Sequence, residues 1–188
     1  MILRQFLAGP LLCAVGLASH AEQAASAGAA LPQDKLTAAA SSVGFKRCLP
    51  AVTRLSRLML QGSPSHDLLL DWDPKRPDSG ALFGFLGMEY PNGGAAASIT
   101  TVPESDGSCT VAAERISLAP FTCESIAQQE LKGYQVSRLL PVYAVYVDPR
   151  EPTSSVSLID SPPGCLVIRR FVEYAWRDPG AGRPPPQR

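Results

Sequence analysis

Cysteine is the first side chain to consider for chemistry. Cys48, Cys109, Cys123 and Cys165 are separated by 61, 14 and 42 residues, and no two form a C-x-x-C pair. A zinc knuckle or a dithiol redox centre needs that close spacing, so neither is expected. A fifth cysteine, Cys13, lies near the N-terminus behind Leu12, a bulky residue unsuited to lipoprotein cleavage. The other four read as two disulfides, which makes them scaffold and not reagents.

Acid–base residues are sparse. Beyond residue 21 the one histidine is His66, in Ser63-Pro64-Ser65-His66-Asp67. A Ser-His-Asp set would have to use it, and no G-x-S-x-G elbow surrounds any serine. His66 therefore reads as a strand-edge histidine. Asp71, Asp73 and Asp78 lie close enough to offer oxygen ligands to calcium, but the EF-hand pattern is missing and Lys75 and Arg76 offset their charge. That segment reads as a solvated turn. Glu89, Glu114 and Glu173 are strand glutamates that would have to converge from afar to act as a glycosidase pair, and they are expected at the surface. No glycine-rich loop follows a strand and opens a helix, so no phosphate cradle is indicated. Neither a metal nor a cofactor is expected.

The ends of the chain indicate compartment. Arg4, the apolar run Phe6 to Leu17 and the small residues Ser19 and Ala21 follow the order of a secretory signal, with cleavage expected after Ala21. The run is shorter than the ~20 apolar residues of a spanning helix, and Gly and Pro interrupt it. The chain has 17 basic and 17 acidic residues, and only Arg4 of these falls in residues 1–21, leaving 16 against 17. A basic excess able to grip phosphates is missing, so nucleic acid is not an expected partner. No later stretch would cross a membrane. A periplasmic or secreted location is expected.

Residues 22–44 are rich in Ala and Ser and read as a flexible lead-in, with a short helix near Asp34 to Ala40. Residues 177–188 hold Pro179, Gly180, Gly182 and Pro184 to Pro186, and read as a disordered tail. Between them, 45–176 is expected to form one α+β domain of two helices packed on antiparallel sheet. The first helix should run from Cys48 to Gln61, with Pro50 in its first turn and Val52, Leu55 and Met59 on one face. The second should follow Thr122, a good N-cap, and stop near Gly133. Strands are expected over 66–73, 81–90, 95–102, 108–116, 142–148, 154–160 and 165–174. The segment 81–90 is apolar at both parities, as a central strand would be.

These elements suggest a tandem duplication of a helix-plus-β-meander unit, over 45–116 and 120–174. Each half opens with a cysteine at a helix start, Cys48 and then Cys123. Each closes with a cysteine after a glycine turn, Gly107-Ser108-Cys109 and Gly164-Cys165. Stapling each helix start to its last strand pairs Cys48 with Cys109 and Cys123 with Cys165; the rival pairing joins Cys109 to Cys123.

With no reaction centre indicated, a non-enzymatic protein-binding domain is expected, of the inhibitor, immunity or envelope-accessory kind. The expected partner is another exported or envelope protein. The contact residues should come from two turn regions: Trp72, Asp73, Lys75 and Arg76 in one, and Met88, Tyr90 and Asn92 in the other. Phe83, Phe85 and Trp72 are also expected to serve the core. A glycan-acting hydrolase with dispersed carboxylates and a carrier of small apolar ligands are the alternative readings.

Overall fold

The computed structural model describes residues 34–179. The expected signal, most of the lead-in and residues 180–188 of the tail lie outside these. The described residues form three helices and one eight-stranded sheet: α1 (Lys35–Ser42), α2 (Leu49–Met59), β1 (Ser65–Trp72), β2 (Leu82–Tyr90), β3 (Gly93–Pro103), β4 (Cys109–Ala119), α3 (Cys123–Glu130), β5 (Gln135–Leu140), β6 (Tyr143–Val147), β7 (Ser154–Ser161) and β8 (Gly164–Trp176). The architecture is α+β, with the two helices expected within 45–176, the short one expected near Asp34 to Ala40 as a third, and eight strands where seven were expected.

All strand pairs are antiparallel, in the order β1-β2-β3-β4-β8-β7-β6-β5. The order runs outward from the β4–β8 pair as two four-strand meanders, β4 to β1 on one side and β8 to β5 on the other. Glu114 and Arg170 face each other across that central pair.

The helices lie on one side of the sheet. In β2 burial alternates strictly, with Leu82, Gly84, Leu86 and Met88 enclosed and Phe83, Phe85 and Gly87 exposed. Register carries the enclosed parity across β3 through Ala97 and Ile99, and across β4 through Ala113 and Val111. These residues meet Val52, Leu55 and Met59 of α2, and Leu36 and Ala40 of α1. α3 covers the same side of the other meander, where Ile126 packs with Val156, Leu158 and Val167.

Local signals account for the helix ends. Pro50 occupies the first turn of α2, where a missing N–H costs no bond. Thr122 Oγ1 accepts the N–H of Ser125 and caps α3. α3 ends at Glu130, before Gly133, and the left-handed Gly133 turns the chain toward β5. α1 is no loose lead-in. The Asp34 carboxylate accepts from the Thr37 N–H and hydroxyl and from Ser56 Oγ on α2, so one side chain caps the first helix and ties it to the second. Gly84 makes room for α1, since a Cβ there would press on both methyls of Leu36.

Two disulfides fasten the helix starts to the sheet: Cys48 to Cys109 and Cys123 to Cys165, with Cα atoms 6.0 and 5.0 Å apart. They span 61 and 42 residues, for which chain entropy gives about 4 kcal/mol each. The start of the expected tail is also engaged: Arg177 Nη2 meets Asp106 Oδ2 at 2.8 Å.

Candidate functional site

The carboxylates named as possible ligands or catalysts are each placed by the fold. Asp78 Oδ1 accepts the backbone N–H groups of Lys46 and Arg47 at 2.6 and 2.7 Å, ordering the turn before α2. Asp73 accepts from Arg76 Nε and from the Lys75 N–H, and the Arg76 hydrogen bond is the main cause that holds its carboxyl below the ordinary range. Asp71 sits on the opposite side of β1 from Leu70 and Trp72. Among the described residues no group of three metal-ligating side chains comes together. The three glutamates diverge. Glu173 lies on the helix side, within 4.0 Å of Arg54. Glu114 lies on the opposite side, 3.0 Å from Arg170. Glu89 shares that side at the far end of β2. His66 sits on edge strand β1, where its carbonyl accepts from Lys35 Nζ.

The expected partner surface does not form as one patch. Trp72, Asp73, Lys75 and Arg76 belong to the turn that precedes β2, and Tyr90 and Asn92 to the hairpin that follows it. Nine strand residues separate them, which places the turns roughly 27 Å apart at the usual strand rise. Met88 is 3% exposed and cannot meet a partner. Tyr90 is partly buried, and its hydroxyl accepts from Arg115 Nη2 at 2.9 Å on the helix side. Asn92, Lys75 and Arg76 are exposed. The expectation that Phe83, Phe85 and Trp72 fill the core also fails. Phe83 and Phe85 are 50% and 47% exposed, and Trp72 sits half open at the strand end.

For the two phenylalanines the reason is the sheet's second side, which no described element covers. Register assembles on it Leu69 of β1, Phe83 and Phe85 of β2, and Ile116 and Leu118 of β4. Leu69 and Leu118 are 68% and 65% exposed. Leu69 lies directly across from Phe85. Next to them Gly87, with nothing within 4 Å of where its Cβ would be, leaves a dent of about 300 Å³ walled by Leu69 and Phe85. The Glu114–Arg170 ion pair is the charged feature in the middle of this side.

The helix side has clefts where its cover runs out. One, of about 570 Å³, lies between α3 and the β5–β6 hairpin, with Arg138, Glu124 and Asp160 among its lining residues. Two others meet at Arg115 and Arg169, between α2 and α3. All mix polar and apolar walls.

No family model, curated protein or solved structure matches the chain. Its function has to be read from this geometry. Phe83 and Phe85 were legible as apolar strand residues, and what sequence reading missed is that no described element covers their side of the sheet. No helix among the described residues is long and apolar enough to cross a membrane.

Proposed function

We propose that the chain is an exported, non-enzymatic binding module that docks another envelope or extracellular protein on the uncovered side of its sheet. The observation that carries this reading is the cluster of Leu69, Phe83 and Phe85, with Leu118 exposed two strands away, on a sheet side with no described cover. Contiguous exposed apolar surface of this kind marks interaction sites. Aromatic anchors beside a dent are the arrangement that concentrates binding energy at protein interfaces. The partner chemistry follows: a protruding apolar side chain seated at Gly87, within a mainly apolar contact. Export rests on the signal-like residues 1–21 and on two disulfides, which persist in oxidising compartments. An inhibitor, immunity or accessory role would each be served by such a face. The mirrored strand order and the matching disulfide positions support reading the two halves as a duplication.

A benzophenone amino acid at position 85, irradiated in cells exporting the protein, tests this. The expected product is one discrete adduct to a second protein, missing when the probe is moved to position 92. The adduct should also disappear in Gly87→Leu, which fills the dent without touching the fold. No adduct, or an adduct indifferent to Gly87→Leu, contradicts the proposal. A product of twice the chain mass replaces the foreign partner with a second copy and overturns that part of it.

A further inference from the structure

We infer that the cleft between α3 and the central strands is a second, independent binding site, for a small oxyanion with an apolar tail. It lies on the side of the sheet opposite the docking face, so neither reading depends on the other. The cleft holds about 300 Å³. Its floor is β4 and β8, which bring Arg115 directly across from Arg169. Like charges directly opposite in a sheet repel each other, and only one of this pair is neutralised. Arg169 Nη2 meets Glu130 Oε2 of α3 at 2.5 Å. Arg115 has no carboxylate partner among the described residues. Its Nη2 donates to the Tyr90 hydroxyl, and its guanidinium carbon lies 5.2 Å from the centre of the Tyr90 ring. Its Nε is buried with no hydrogen-bond acceptor. A charged group with an unsatisfied donor and no counter-ion calls for an explanation, and an oxyanion held in the cleft supplies the missing counter-charge.

The remaining lining orients the ligand. Ser117 follows Arg115 on the same side of β4, with Val167 across from it, and Ile126 and Phe121 close the far end. Cationic head and apolar end are set apart by the four residues from Arg115 to Ala119, roughly 13 Å at strand rise. A carboxylate or phosphate with a short aliphatic or aromatic body fits that order. The head contacts Arg115, with Ser117 beside it, and the tail lies along Val167, Ile126 and Phe121.

The test is an NMR titration of the whole exported chain with octanoate, acetate and inorganic phosphate, reading the arginine Nε–H and backbone amide resonances. Octanoate should give saturating shifts at Arg115, Ser117 and Arg169. Acetate should bind more weakly, because it lacks the tail. Whichever of acetate and phosphate binds more tightly identifies the oxyanion. Arg115→Gln should weaken octanoate by about tenfold or more, as expected for loss of a charge-assisted contact. Glu130→Gln, at an exposed position that leaves folding intact, should tighten it by freeing Arg169. Phe121→Ser should weaken octanoate and leave acetate unchanged. No saturating shift in the wild-type chain, or an octanoate affinity that Glu130→Gln and Phe121→Ser both leave unchanged, overturns the inference.

Discussion

The two meanders share a strand pattern and a disulfide but differ in cover. Over β1 to β4 lie two helices, and among the described residues the core there numbers 17 buried side chains. Over β5 to β8 lies one eight-residue helix, and the core there numbers seven. α3 packs mainly on β7 and β8, and β5 is exposed along its whole length, with Val136, Leu139 and Leu140 more than half open. The same framework is therefore stabilised mainly by side-chain packing in one half. In the other, the Cys123–Cys165 bond carries a larger share. The uncovered side shows the opposite inequality: its most exposed aromatic pair, Phe83 and Phe85, belongs to the better-packed half. A rigid half that displays an apolar surface suits docking, because little order remains to be imposed on binding.

The largest expected effect separates the halves by their disulfides. Replacing both Cys123 and Cys165 by Ser should cost about 4 kcal/mol, and hydrogen exchange should show it as opening of α3 and β5 to β7 while β1 to β3 stay protected. Equal loss of protection in both halves would remove the distinction. Next come core truncations. Phe45 is fully enclosed by the first core, and Phe45→Ala should cost about 4 kcal/mol in chemical denaturation. Ile126→Ala, in the thinner core, should cost about 2 kcal/mol, near the low end for such changes. If Ile126→Ala costs as much as Phe45→Ala, the second core is not the looser one.

A smaller effect concerns acid. The Asp148 carboxyl accepts from Arg150 Nε, Nη2 and N–H, and the Arg150 side-chain bonds are the first cause that lowers its pKa below 3.8. A carboxylate with a depressed folded pKa contributes stability above its unfolded pKa and loses it as pH falls through the folded value. The β6–β7 turn, which Asp148 orders, should therefore loosen below about pH 4, as amide exchange at 148–154 would report, and Asp148→Asn should remove that dependence. The smallest effect is at the uncovered side. Phe83→Ser and Phe85→Ser should each change stability by no more than about 0.5 kcal/mol, as for surface positions. A large loss would place these rings in a packed environment.

Much of the framework is legible in the sequence because its signals are local. Thr122 caps a helix, Pro50 starts one, and Asn92-Gly93 marks a hairpin. The cysteines sit where helix starts meet final strands. What is not legible depends on distant contacts. The short helix near Asp34 is legible, but its place in the core is not until Leu36 is set against Gly84, some fifty residues on. β5 shows no alternation because no described element buries either of its sides, so Gln135 to Leu140 has no pattern to find. The doubly apolar run at Leu82 to Met88 reads as a central strand, since sequence cannot tell a side covered by its own chain from one left for another molecule. The separation of the two turns was available from the outset: segments that precede and follow one strand stand at its opposite ends.

The central claim is that the Leu69–Phe83–Phe85–Leu118 surface is bare in the isolated protein and covered where the protein works. Radical footprinting of these side chains, in purified protein and in intact cells that make it, measures this directly. The account predicts strong labelling of all four in the purified chain and protection in situ, with Leu139 and Leu140 labelled alike in both. Equal labelling of Phe83 and Phe85 in the two settings would contradict it.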